Sequence, residues 1–251
     1  MRCVEQLQTG GLTATPSCEA HEPRYAIYYT PAPEHPLTVA ARRWLGRDAF
    51  APGIGIANAD GTSFKSEPRR YGFHATIKAP FRLKEGGSVE ALERALRGFA
   101  AKTPACPIGP LRIDLLGGFF ALVPIHPWPA LRGLASRVVE EFDMFRAPMN
   151  GDDLKRRMGR ELDEVEMTNL VTWGYPYVFD RFRFHMTLTD RVPEDGRAAM
   201  RARLVEIFEL YLSEDYHIDS LSLFVQEHRS ADFVVRSQFA LKTGAALKSA
   251  V

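Results

Sequence analysis

Apolar residues recur along this chain with two periods, and the switches between them outline its elements. Arg24–Thr30, RYAIYYT, is aromatic and β-branched and predicts a first strand, which Pro31 and Pro33 end. Helical spacing predicts a helix over Pro36–Leu45 with Gly46 at its cap. A second is predicted over Val89–Lys102, where Ser88 caps and Val89, Leu92, Leu96 and Phe99 share a face. Between them, Ala49–Pro68 is rich in Gly, Pro, Asn and Asp and reads as an irregular loop leading into a short strand within Tyr71–Phe81, YGFHATIKAPF. Two apolar runs flank Gly117-Gly118 within Leu111–Ile125, the signal of a two-residue hairpin.

The second half reads similarly. Amphipathic helices are predicted over Trp128–Phe145 and Glu161–Trp173, joined by a polar loop holding Asn150-Gly151-Asp152-Asp153. A strand follows at Phe182–Asp190, FRFHMTLTD, then a long helix over Glu194–Leu212 and strands at His217–Gln226 and Phe233–Leu241. The order strand, helix, strand, strand is thus run twice, as an internal duplication would leave it. The expected fold is α+β: a duplicated two-lobe arrangement of mostly antiparallel sheets with flanking helices. Residues 1–22 read as a disordered leader, 23–126 as a first lobe, 127–172 as a helical connection and 173–251 as a second lobe.

Composition narrows the function. Lys and Arg number 32 and Asp and Glu 31, a net charge of +1, so no long-range field favours a long nucleic-acid tract. Three cysteines, Cys3, Cys18 and Cys106, form no CxxC pair and cannot all pair within the chain, which fits a reducing compartment. No stretch approaches the about 18 apolar residues of a membrane span, and the start lacks a signal-peptide core, so a cytoplasmic location is expected.

The chemistry lies in the two strands that begin each repeat. Each carries a histidine, one apolar residue and a threonine: His74-Ala75-Thr76 and His185-Met186-Thr187. Chance yields only about 0.4 such triplets in a chain of this composition, so one copy would mean little, whereas two in matched contexts mean more. Side chains alternate along a strand, which places His74, Thr76 and Lys78 on one face and Arg183, His185 and Thr187 on the corresponding face of the other. Two lobes facing across a central cleft would bring both histidines into it. An imidazole titrates near neutrality, so one neutral and one protonated ring suit in-line attack on a phosphodiester. The neutral ring takes a proton from water and the charged ring gives one to the departing oxygen; either histidine fits either role. The threonine hydroxyls can hold phosphoryl oxygens, and Lys78 or Arg183 can add charge, although Arg183 can equally pair with Asp180 or Asp190. Tyr71, Tyr175 and Tyr177 are candidates for stacking on a sugar or base. No metal or cofactor is called for: there is no HExxH, no Cys/His cluster and no Gly-rich phosphate loop.

With these residues in view, the chain resembles the two-histidine (2H) phosphoesterases, which are defined by paired His-x-Thr/Ser motifs on duplicated α+β lobes. RRYGFHATIKAPF at Arg69–Phe81, WLGRD at Trp44–Asp48 and WGYPYVFDRFRFHMTLT at Trp173–Thr189 look like a branch associated with phosphonate-utilisation operons. The resemblance implies metal-independent hydrolysis of a small phosphorylated sugar or nucleotide, such as the ribosyl 1,2-cyclic phosphate formed in phosphonate breakdown. RNA ends bearing 2',3'-cyclic or 2',5' phosphodiesters, or binding of a phosphate without turnover, are the alternatives.

Overall fold

A computed structural model describes residues 22–53, 56, 64–157 and 161–242. The leader expected over residues 1–22 lies, apart from Glu22, outside the described residues. In chain order the elements are β1 (Arg24–Tyr29), α1 (Pro36–Leu45), α2 (Ser66–Tyr71), β2 (Ala75–Phe81), α3 (Val89–Lys102), β3 (Cys106–Gly109), β4 (Leu111–Leu116), β5 (Phe119–Pro124) and α4 (Pro129–Phe142). There follow α5 (Gly151–Arg157), α6 (Glu164–Trp173), β6 (Met186–Arg191), α7 (Arg197–Phe208), β7 (Tyr216–Ile218), β8 (Ser220–Gln226) and β9 (Val234–Ala240).

Local chemistry sets most of the boundaries. Gly46 closes α1 in the left-handed region, and the Ser88 hydroxyl accepts from Ala91 N at the start of α3. Asp163 and Glu166 form a reciprocal capping box on α6, so that helix starts three residues later than the apolar spacing suggests. Gly117 and Gly118 both have positive φ, as the two-residue turn between β4 and β5 requires, and the hairpin pairs Leu116 with Phe119. Three elements escape the pattern: α2, which begins inside the expected loop, the short β3, and α5, a helix where a polar loop was expected between the two helices of the second half. Asp219 divides the run expected over His217–Gln226 into β7, which pairs with β3, and β8, which joins the main sheet.

The fold is α+β, with one large antiparallel sheet and flanking helices. Its seven strands run β4-β5-β6-β2-β1-β8-β9. Beside them β3 and β7 form a two-stranded sheet. At the centre β6 and β2 share a single register pair, Ala75 with Met186, so the sheet divides there into β6-β5-β4 and β2-β1-β8-β9. The strands of residues 23–126 and 173–251 interleave across this division: β8 and β9 lie beyond β1, while β4 and β5 lie beyond β6. The duplicated order of elements is therefore real in the chain, but each half contributes strands to both sides of the seam.

One face of the sheet carries the main core. Ile27, Ala75, Ile77, Met186 and Leu188 pack there with Leu92, Leu96, Val138, Leu204 and Phe208 of the helices, nearly all of them fully buried. Tyr28 packs instead in a second, smaller cluster with Ala26, Ala49, Phe224 and Phe233, against which Tyr71 rests. The histidines sit on this side of the sheet and are half-buried.

Candidate active site

Each histidine stands one residue before its strand, so the first paired residues, Ala75 and Met186, set the geometry of both motifs. These two are directly opposite in antiparallel strands and fully buried. One step to either side, His74 falls opposite Thr187 and Thr76 opposite His185. All four side chains then project to the face opposite Ala75 and Met186, as strand alternation dictates, and all four are half-buried.

Backbone carbonyls aim both rings. His74 Nδ1–H donates to Gly72 O at 2.8 Å, and His185 Nδ1–H to Arg183 O at 2.9 Å. A carbonyl can only accept, so each neutral ring carries its lone pair on Nε2, and His74 Nε2 lies 3.3 Å from Thr76 Oγ1. His217 makes the same contact with Asp215 O, so this anchor by itself does not mark a site. Gly72 has φ +77°, and a Cβ there would come within 2.8 Å of Ala49 Cβ. Glycine thus lets the chain turn from α2 into the carbonyl that holds His74.

The two rings differ in surroundings. His74 is stacked on Tyr28 with centroids 4.0 Å apart and lies 5.9 Å from the Tyr71 ring, which itself stacks on Phe233. Burial pushes its pKa down to about 4; the Gly72 hydrogen bond opposes this and the charge of His185 adds to it. His185 faces Phe119 at 5.9 Å, and burial lowers its pKa against the opposing Arg183 carbonyl.

Two adjoining cavities open over the pair. One of about 680 Å³ contains His74, Thr187 and Tyr71 in its wall, and one of about 550 Å³ contains His185, Tyr177 and Arg183. Thr76, Phe119, Tyr175 and Arg191 line both. Tyr71, Tyr175, Tyr177 and Arg183 are therefore brought together with the four motif residues. Asp180 pairs with Arg132, and Asp190 accepts from Ser66 and Glu67, so neither engages Arg183.

Lys78 is the exception. Its ammonium is buried on the far side, donating to Asp143 Oδ1 at 2.9 Å and Val139 O at 3.1 Å beside α4. The physical reason is a β-bulge: Tyr28 pairs with Thr76 but Ile27 with Lys78, so Ile77 is an extra residue and the alternation changes face after it. Lys78 is thus aligned with Ile27, a core residue. Sequence reasoning also missed Tyr28, Phe119 and Arg191. Tyr28 is conspicuous in RYAIYYT, but its partner lies 46 residues away on another strand.

A family model described as a protein of unknown function, DUF1045, matches residues 76–234. The chain belongs to the DUF1045 family. Among curated relatives, it is 37% identical over 229 residues to a protein of Janthinobacterium sp. (strain Marseille) named ribose 1,5-bisphosphate phosphokinase PhnN. It is 33% identical over 217 residues to a protein of the same name from Laribacter hongkongensis (strain HLHK9). In both cases 84% of this chain is matched, against 49% and 50% of the relatives, so the chain spans about half their length. Among solved structures, E. coli LigT complexed with NADP+ is 14% identical with a TM-score of 0.41. LigT complexed with phosphate is 13% identical with a TM-score of 0.39. Both comparisons cover 88% of this chain and 99% of LigT. Within the DUF1045 chain, the paired His-x-Thr arrangement expected of a 2H phosphoesterase is present. Among the described residues, no helix is long and apolar enough to cross a membrane.

Proposed function

We propose that this DUF1045 protein is a 2H-type phosphodiesterase that hydrolyses a small cyclic phosphate or phosphodiester with two histidines as general base and general acid. The observation that carries this reading is the crossed register of the two motifs, which sets an imidazole and a hydroxyl from each strand around one space. His74, stacked and the more strongly shifted toward neutrality, is the base; His185 is the acid. Nε2 of His74 takes a proton from water as its oxygen bonds to phosphorus. The opposite phosphorus–oxygen bond breaks, and His185 Nε2–H protonates the departing sugar oxygen. Thr76 and Thr187 donate to the phosphoryl oxygens as their charge grows, a role that a preorganised hydroxyl fills without reorientation.

A phosphorylated ribose is the substrate class we favour. The name of the curated relatives refers to a ribose bisphosphate, and ring opening of a ribosyl cyclic phosphate yields a ribose phosphate monoester. A panel of ribosyl 1,2-cyclic phosphates, nucleoside 2',3'-cyclic phosphates and 2',5'-linked dinucleotides, followed by phosphorus NMR, tests the reading. Turnover of the ribosyl compounds above the others supports it; binding without a new monoester signal from any of them rejects it.

A further inference from the structure

The segment Trp44–Asp48, WLGRD, lies at the end of α1 and supplies no side chain to either cavity over the histidines. Two of its side chains are nevertheless buried and directed at main-chain oxygens beside the two motifs. The Trp44 indole, 1% exposed, donates through Nε1 to Leu188 O at 2.8 Å, one residue past Thr187. The Arg47 guanidinium, 7% exposed, donates through Nη1 to Arg69 O at 2.8 Å and to Arg70 O at 3.2 Å, and through Nη2 to Phe233 O. Asp232 lies 3.1 Å from its Nε and supplies the countercharge that burial of a cation demands. Arg69 and Arg70 belong to the last turn of α2, where carbonyl oxygens gather and a cation is favoured. Two residues beyond Arg70 stands Gly72, whose carbonyl aims His74. A Cβ on Gly72 would lie 3.5 Å from Arg47 Nη1, so the guanidinium packs directly against that turn.

The seam between the motifs depends on such a link. β2 and β6 share only the pair Ala75 with Met186, so their ladder joins the strands at one point and leaves their spacing beyond it to other contacts. Trp44 and Arg47 are three residues apart on a turn fixed by α1 and by the left-handed Gly46. One reaches the strand that follows His185, and the other reaches the approach to His74. A short, stiff stretch of main chain thus sets how far apart the motifs stand. A guanidinium suits this task, because its rigid fork meets three carbonyls and a carboxylate at once, whereas an ammonium on a flexible stem is a point charge.

We propose that Trp44–Asp48 is a brace that positions both motifs, Arg47 acting on His74 through the turn at Gly72 and Trp44 acting on Thr187 through the main chain of β6. The inference rests on the phosphodiesterase reading above for its effect on rate, but the ring geometry it concerns is observable without turnover. With Gly72 O fixed, His74 keeps its proton on Nδ1 and its lone pair on Nε2, the form that a base facing water requires. With the turn loosened, the ring exchanges between tautomers and only part of the population is competent. Neither Trp44 nor Arg47 lines the cavities, so the loss falls on kcat rather than on KM.

The test compares Arg47→Lys and Trp44→Phe with a control, Arg42→Gln, which breaks an ion pair to Asp48 in the same segment. Turnover of the ribosyl and nucleoside cyclic phosphates named above is measured together with long-range proton–nitrogen NMR of the histidine rings at pH 7.5, where His74 is neutral. Arg47→Lys is expected to lower kcat by about tenfold or more with KM within about threefold, and to give His74 a mixture of Nδ1–H and Nε2–H forms in place of the single Nδ1–H form of the wild type. Trp44→Phe should lower kcat on the same scale with the His74 tautomer unchanged, and Arg42→Gln should leave both. Wild-type kcat in folded Arg47→Lys overturns the brace, and so does a lower kcat with the ring still wholly Nδ1–H. An equal loss in Arg42→Gln also overturns it, by assigning the effect to a general loosening of the fold; wild-type kcat in Trp44→Phe removes Trp44 from it. Should Arg47→Lys not fold, Asp232→Asn, which takes the countercharge from Arg47 but keeps its bonds to the carbonyls, is expected to show the same changes at smaller size, and an unmoved tautomer there rejects the proposal. If the wild type turns over none of the compounds, the enzymatic reading falls while the tautomer comparison still decides the brace.

Discussion

Ala75 lies directly opposite Met186 at the seam of the sheet, and this single pairing crosses each catalytic candidate with the threonine of the other motif. Because side chains alternate, the two buried residues hold the core while His74, Thr76, His185 and Thr187 share the opposite face. A slip by one residue would turn all four inward, so the packing of Ala75 and Met186 secures the site.

Removing either imidazole should therefore cost catalysis and spare the fold. His74→Ala and His185→Ala are each expected to lower turnover by about 100-fold or more, the scale of a general acid or base. Far-UV circular dichroism should match the wild type, and wild-type rates in either variant would exclude the two-histidine mechanism.

The pH profile should be bell-shaped and lie on the acid side. The base works when neutral, so the acidic limb of kcat/KM is expected near the His74 value of about 4. The acid works when protonated, and because burial lowers His185, the alkaline limb should fall below 6.5. A rate still rising between pH 7 and 9 would contradict this assignment.

The same shifts bear on stability. Both histidines bind protons less readily in the folded chain than in the unfolded one, so their contribution is complete above about pH 6.5 and declines as pH falls toward 4. The melting temperature should drop between pH 7.5 and 4.5, and His74→Gln should drop less over that window. An equal drop in both proteins would argue that His74 is not held neutral by the fold.

Lys78 should matter to folding rather than to chemistry. It is 4% exposed and bonded to a partly buried Asp143, so Lys78→Met is expected to shift stability by about 1–3 kcal/mol in urea unfolding. In folded protein kcat should stay within about threefold of wild type. A fall of about 100-fold would return Lys78 to the phosphate.

Tyr28 should set the character of the base. Replacing its stacked ring by leucine admits water beside His74, which raises the imidazole pKa toward its usual value. Proton NMR titration of His74 in Tyr28→Leu should show that rise, and the acidic limb of the rate profile should move up with it. An unmoved titration would mean that other groups keep the ring dry.

What the sequence determined alone was whatever depends on near neighbours. The caps at Gly46 and Ser88, the Gly117-Gly118 turn and the alternation that unites each histidine with its threonine are all effects of residues within a few positions of one another. Only the tertiary structure decided the rest. The interleaving of strands across the seam joins segments far apart in the chain, from 64 residues between Leu122 and Met186 to 202 between Arg24 and Gln226, so no local period records it. The bulge at Ile77 depends on how β2 meets β1, and it alone turns Lys78 into the core. The stack of Tyr28 on His74, and the contacts of Trp44 and Arg47 beside the two motifs, likewise depend on distant chain segments meeting, because burial and charge compensation are properties of neighbours in space.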